Sequence, residues 1–461
     1  MYQQPLLKLL SLLVAAAATL CAGAQEAGTA PIRLSLDECL RIALSENPTI
    51  KVAEMEITKV DYAKKEARGQ LMPELSFSGQ YSRTLAKQTM YMDTEQGTAA
   101  FKVGRDNSYT TGFNATIPIV VPTLWKSLRL TDNQMLQNVE AARASRLSLV
   151  NQVKNAYYAL LLAIDSKRVI EENHATAKLN ADIFQKKYEL GTASEYDALR
   201  AHVAVTNLEP SIIEAENSIN RLKLQLKVLM GMDADASIVP ADSLSAYRGV
   251  MYDMALSADT SLVSNTSLKT LDLQTDYLRK ALDVQKASWY PNLTGSANYM
   301  WNSTSNGNPL RNFRWSGFSS VGLTLSFTLF NGGQRYYKQR QAEVSLREMQ
   351  WQRDNLARSL RTQVLTQTDN LRKCIKQIET NEGGLRQAEK ANDIMQRSFK
   401  IGSGTFIQLR DTEDALMNAR LTYYQAIYGY LVAQSDLEYV LGNAPLGQYI
   451  TNPNPNNSQN Q

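Results

Sequence analysis

The sequence predicts a mixed α/β membrane protein. Long antiparallel coiled-coil helices are expected to form a rod, and four β-strands per protomer to contribute to a transmembrane β-barrel. Three observations carry that expectation. Stretches of two-residue alternation follow directly on helical segments, two runs of about 68 residues lack internal helix breakers except one Gly pair, and the whole pattern occurs twice in the 461 residues.

The first element is a targeting signal, residues 1–24. Lys8 precedes the uncharged apolar run "LLSLLVAAAATL" (9–20), and Ala22 and Ala24 suit cleavage before Gln25. Cys21 would suit a lipid anchor, but Leu20 beside it fits that signal poorly. The mature chain is therefore expected outside the cytoplasm.

A helix is expected over about 48–70, and a strand over 73–82 follows it. In "LSFSGQYS" (75–82), Leu75, Phe77, Gly79 and Tyr81 alternate with Ser and Gln. A second strand, 108–120, places Tyr109, Phe113, Ala115, Ile117 and Ile119 on one face. The segment between them, 83–107, reads as a loop. Next comes a helix over 123–190. Its seam of Leu136, Val139, Val150, Val153, Tyr157, Leu160 and Ile164 is interrupted by Arg143 and Arg146. A Gly-containing break precedes a returning helix, 192–231. The segment 232–262 reads as an irregular equatorial collar. Residues 25–262 thus form a first structural repeat.

Residues 263–442 repeat that order. "NPTIK" (47–51) and "NTSLK" (265–269), like Pro73 and Pro291, share an offset of 218 positions. A helix (263–288), strands (291–302 and 313–330), a long helix (334–401) and a returning helix (404–441) follow. Gly383-Gly384 is the soft spot of the long one. The tail, 443–461, is polar and Asn/Pro-rich and is expected to be disordered.

The alternation alone fits either a soluble two-sheet sandwich or a membrane barrel. Aromatic placement favours the barrel. Tyr81, Tyr109, Trp301, Phe313 and Trp315 cluster at the loop ends of their hairpins, as a membrane-interface girdle does. Four strands cannot enclose a lumen, and single-chain barrels begin at about eight. Two copies would supply eight strands and three copies twelve; only the larger leaves room for a channel.

Charge is nearly balanced, 49 basic against 45 acidic residues, which argues against nucleic acid as a partner. Catalysis finds no support. His174 and His202 lack a metal-ligand spacing, and the common nucleotide, hydrolase and zinc motifs are missing. No catalytic residue, metal site or cofactor is expected. Cys39 and Cys374 read as free thiols acting as small buried hydrophobes.

Over about residues 34–442 the chain resembles the TolC family of outer-membrane efflux channels. The resemblance rests on the doubled element order, on "FTLFNGGQ" (327–334) at the strand-to-helix junction, and on "YELGTAS" (188–194) and "FKIGSGT" (399–405) at the two helix reversals. It implies a homotrimer in the outer-membrane lipid. That trimer would have a twelve-stranded transmembrane β-barrel and a long antiparallel α-helical coiled-coil barrel, which forms a tunnel in the periplasm. A periplasmic adaptor of an inner-membrane pump, of RND or ABC type, would dock at the tips, and substrate would leave passively. Type I protein secretion is the alternative cargo. A periplasmic structural coiled coil is the alternative of another class.

At the tips, Gly191, Gly402 and Gly404 can supply positive φ, and Thr192 and Ser403 can N-cap the returning helices. The resemblance makes these residues adaptor contacts; otherwise they are only turns. It also implies a constriction of acidic residues at the second tip. The positions are Gln408 and Asp411, of which only Asp411 is acidic, with Arg410 an unexpected neighbour. Asp411 is then either a ring carboxylate or a plain exposed one. Asp197 corresponds to Gln408 at the first tip and is placed to hold a closed state.

Overall fold

The computed structural model describes residues 32–94, 97–250, 261–308 and 314–443. The targeting signal, Phe313 and nearly all of the tail lie outside them.

The chain begins with strand β1 (Ile32–Leu34) and helices α1 (Leu36–Glu46) and α2 (Pro48–Gly69). Four strands follow: β2 (Glu74–Arg83), β3 (Gln88–Thr94), β4 (Gly97–Val103) and β5 (Asn107–Val120). Helix α3 (Pro122–Glu189) precedes α4 (Glu195–Thr206), α5 (Glu209–Met230) and strand β6 (Ile238–Pro240). The second half holds α6 (Thr266–Ala287), β7 (Asn292–Ser305), β8 (Ser316–Ser326), α7 (Gln334–Lys400) and α8 (Phe406–Leu441). The two halves match closely: α2 and α6 both have 22 residues, while α3 has 68 and α7 has 67.

Local chemistry explains the boundaries. Pro122 opens α3 where a missing N–H costs nothing. The Gly383-Gly384 pair does not interrupt α7. Three expectations need correction. The returning helix over 192–231 is two helices, because Pro210 sits in the first turn of α5 and cannot continue the backbone ladder. The expected loop 83–107 contains its own antiparallel hairpin, β3 with β4. The last strand is shorter than 313–330, ending at Ser326.

Two compact units partition the chain, each drawing on both halves. The first comprises the N-terminal segment to Lys51, Arg146–Ser261 and the residues from Thr362. Its core is helical, with Leu40, Tyr157, Leu160, Leu161, Leu226, Met230, Ile427 and Tyr430 fully buried. The expected α3 seam is buried at Val150, Val153, Tyr157 and Leu160, and only half-buried at Ile164. The parallel pairing of β1 with β6 ties the collar to the N-terminus. The Tyr157 hydroxyl lies 2.9 Å from Asp242 Oδ2 and 3.1 Å from the Leu34 carbonyl oxygen. Buried Asp165 accepts the Leu244 N–H at 3.1 Å. Cys39 is wholly buried, and burial pushes its thiol up to about 12.

The second unit comprises Val52–Ser145 and Leu262–Arg361. It contains an antiparallel sheet in the order β2-β5-β7-β8. The register aligns faces strand by strand. Phe77 lies opposite Phe113, Phe113 opposite Tyr299, Ala297 opposite Val321, and Leu293 opposite Leu325. One face therefore collects the apolar alternates of all four strands. The other collects Ser76, Ser78, Asn114, Thr116, Asn298, Ser320 and Thr324, with the Met300–Phe318 pair as an apolar exception. On this unit Leu136 and Val139 of α3 are exposed.

Candidate functional site

Among the described residues, two places are candidates for function: the paired helix reversals of the first unit and the strand ends of the second.

The two reversals are built alike. At the first, Gly191 adopts φ 68°, and at the second Gly402 adopts φ 79°. The Thr192 N–H and hydroxyl both reach the Lys187 carbonyl, at 2.7 and 3.0 Å. The Ser403 N–H and hydroxyl reach the Ser398 carbonyl at 3.0 and 3.1 Å. These are helix C-terminal closures, in which a left-handed glycine lets the following residue return to the last turn. Thr192 and Ser403 therefore do not N-cap the returning helices. That task falls to Ser194 and Thr405, two residues later. Gly404 also differs from expectation. Its φ is not positive; instead a Cβ there would meet Met395 Sδ at 3.1 Å and the Phe399 nitrogen at 3.3 Å.

Capping then explains two of the expected gate residues. The Asp197 N–H donates to Ser194 Oγ at 3.2 Å, and Ser194 Oγ donates to Asp197 Oδ2 at 2.7 Å. At the second tip the Gln408 N–H donates to Thr405 Oγ1 at 3.3 Å. Gln408 Oε1 accepts the Thr405 N–H at 3.1 Å, completing a capping box. Glutamine fills this place as well as a carboxylate would.

Asp411 lies one turn further along α8 and is exposed. It shares an exposed stripe with Gln408, Ala415 and Asn418. Arg410 points elsewhere. It pairs with Asp414 at 2.7 Å and approaches Glu413 at 3.9 Å.

Sequence reasoning missed two features here. The tips are fastened together by Phe184, Phe399 and Phe406, with Phe184 and Phe406 ring centroids 4.4 Å apart. Lys187 lies over both Phe184 and Phe399, 5.5 and 5.3 Å from their centroids. Glu413 is buried, with Asn180 Nδ2 at 3.1 Å from one carboxylate oxygen and 3.3 Å from the other. Burial raises its pKa, opposed by Asn180 and Arg410. It borders a polar cavity of about 180 Å³ with Glu172, Asn173, Asn392 and Arg420. The signal was available: Phe406, Leu409 and Glu413 follow one helical stripe, and only the last is polar.

The strand ends assemble an aromatic ladder. Tyr81 stacks on Tyr109 at 4.9 Å, Phe113 meets Trp301 edge-on at 6.2 Å, and Tyr299 packs on Trp301 at 4.6 Å. The Tyr81 hydroxyl donates to Asn107 Oδ1 at 2.9 Å. Trp315 is exposed just ahead of β8. Tyr81, Tyr109 and Trp301 share the apolar face. No group of three or more metal-ligating side chains occurs among the described residues, and no helix there is long and apolar enough to cross a membrane.

Comparison with known proteins gives concordant results. A family model described as outer membrane efflux protein matches residues 39–232 and 258–443. The alkaline protease secretion protein AprF of Pseudomonas aeruginosa is 24% identical over 412 residues, spanning 89% of this chain and 84% of its own. The outer membrane protein TolC of Vibrio cholerae is 21% identical over 355 residues, 75% of this chain and 81% of its own. Among solved structures, the CmeC outer membrane channel of Campylobacter jejuni superposes with a TM-score of 0.71 at 15% identity, covering 88% of this chain and 85% of that one.

Proposed function

Because the chain belongs to the outer membrane efflux protein family, we propose that three copies of it form one outer-membrane duct. It is an outer-membrane channel of a tripartite efflux or secretion system. The finer reading is that each copy lends its sheet to a twelve-stranded barrel. Substrate then passes down the lumen toward the cell exterior.

One observation carries this reading. The sheet ends at β2 and β8, and neither has a second strand partner among the described residues. Every residue of β2 and β8 is exposed. In hydrocarbon each unpaired backbone group costs several kcal/mol, roughly, so a spanning sheet must close on itself. With one apolar and one polar face, closure between copies turns the apolar face to lipid and the polar face to water. The Tyr81–Tyr109–Trp301 cluster then marks one membrane interface.

The tips take the adaptor role in this reading. The Gly191 and Gly402 positions have open space around them, as contact surfaces require. Asp411 lines the lumen at the second tip, where three carboxylates select for cations. Asp197 and Gln408 act there as caps, and Arg410 as the ion-pair partner of Asp414. An inner-membrane pump of RND or ABC type drives transport through the adaptor. The similarity to AprF along most of the chain favours secreted protein as a second class of cargo.

The test is assembly. The protein should fractionate with the outer membrane as an oligomer that dissociates on heating, with native mass spectrometry returning three copies. A monomer, or a soluble periplasmic species, would sink the reading.

A further inference from the structure

The β3–β4 hairpin is amphipathic, and it lies beyond the aromatic ladder. β2 arrives from α2 and ends at Arg83, beside Tyr81, so residues 88–103 belong to the outer side of the sheet. The hairpin forms a two-stranded sheet of its own. Met90 pairs with Phe101, Met92 with Ala99 and Gln88 with Val103, so these side chains share one face. Thr89, Tyr91, Asp93, Thr98 and Lys102 share the other. Met90, Met92, Phe101 and Val103 are all exposed, between 42% and 56%.

A lone two-stranded hairpin is marginal in water, and an uncovered apolar face makes it more so. Yet its base is fixed. Lys87 pairs with Asp106 at 2.8 Å. Asp106 also accepts the Gly307 N–H at 2.8 Å, and its own N–H donates to Asn306 Oδ1 at 3.1 Å. This hub braces the hairpin against the start of the second outer loop.

We propose that the apolar faces of three such hairpins pack together across the channel axis and plug its outer mouth. The inference rests on the three-copy barrel. Reach supports it. Seven residues of strand extend roughly 24 Å at the usual rise. Twelve strands at the usual spacing and tilt give a barrel radius of about 12 Å. Each hairpin is thus long enough to reach the axis from its own wall. Three copies around one axis bring the same apolar face in triplicate to one place, in water, where it gains most from being covered. The occupant of each face is the same face of the neighbouring copies, and outward passage requires them to part.

The test uses full-length chains in outer membranes, with Cys39→Ala and Cys374→Ala removing the native thiols of the mature protein. Under mild oxidation, Met92→Cys and Phe101→Cys should give disulfide-linked dimers on denaturing gels, whereas Tyr91→Cys on the opposite face should stay monomeric. Replacing Met90, Met92 and Phe101 together with Asp should raise mean single-channel conductance severalfold. A heat-labile trimer with monomeric Met92→Cys and parental conductance would overturn the plug alone. Equal cross-linking from Tyr91→Cys, or capture of a different protein, would also overturn it. Absence of the trimer would overturn the reading beneath it and the plug with it.

Discussion

Glu413 is a buried carboxyl group whose pKa is raised first by burial, with the nearby Asp414 charge adding to the shift. Its folded pKa lies above 4.5, raised by desolvation and only partly offset by Asn180 and Arg410. The sign follows. Between the unfolded and folded values the folded chain binds more protons, so this residue's contribution is complete below about 4.5 and is lost as pH rises through the folded value. The charged groups around it are Arg410, Asp414, Glu172 and Arg420. Glu413→Gln removes the charged form and retains an acceptor for Asn180. The variant should melt higher than the parent at pH 8, with the gap closing near pH 4. A gap independent of pH would mean that Glu413 is not the titrating group.

At the scale of elements, the reversals and the sheet make separate predictions. Ser194→Ala and Thr405→Ala should each destabilise their returning helix by about 1 kcal/mol. The sign to look for is faster amide exchange in the first turns of α4 and α8. Gly191→Val and Gly402→Val force a β-branched residue into a left-handed conformation, at roughly 1–2 kcal/mol. If the tips are adaptor contacts, export should fall while oligomers still reach the membrane. Equal loss of oligomers would assign these glycines to folding alone. In the sheet, Leu323→Arg should cost roughly 2–4 kcal/mol near mid-bilayer and reduce assembly. Thr324→Arg, on the polar face, should be milder. Equal assembly of the two would remove the face assignment.

The contrast between these elements shows what was legible in the sequence. Strand faces were readable from their two-residue alternation, and the long helices from the lack of proline over each run, although Arg143 and Arg146 interrupt the α3 seam. The shared apolar face followed from parity, since Leu75, Phe113, Tyr299 and Val321 alternate in step. The α4–α5 break was missed although Pro210 was in plain view, because the surrounding helical pattern is strong on both sides. The caps were misplaced by two residues, because a Thr or Ser after the glycine satisfies the old helix before a new one starts. Thr405–Gln408 was there to be read as a capping box, and Ser194 as an N-cap serine. The Phe184–Phe399–Phe406 cluster was not, because its members come from three separate helices.

For the whole molecule, the exposed stripe holding Asp411 predicts ion selectivity. Three copies around an axis would place three carboxylates in a narrow lumen where screening is weak. Asp411→Asn should lower cation preference and weaken block by multivalent cations in planar-bilayer recordings. Gln408→Asp should strengthen that block, with its cap retained. Unchanged selectivity in both variants would move the constriction away from α8. The sheet also has a consequence in time. Tyr81 and Asn107 of the first hairpin are 26 residues apart, whereas Asn107 and Ser305, which join the two hairpins, are 198 apart. Closing the longer loop costs about 2 kcal/mol more in chain entropy. Each hairpin should therefore zip early on its own, and the seam between β5 and β7 should form late, once helices α3 to α6 have folded. Until then the nascent chain carries four raw strand edges instead of two, and that interval is when it most needs shielding from its own kind.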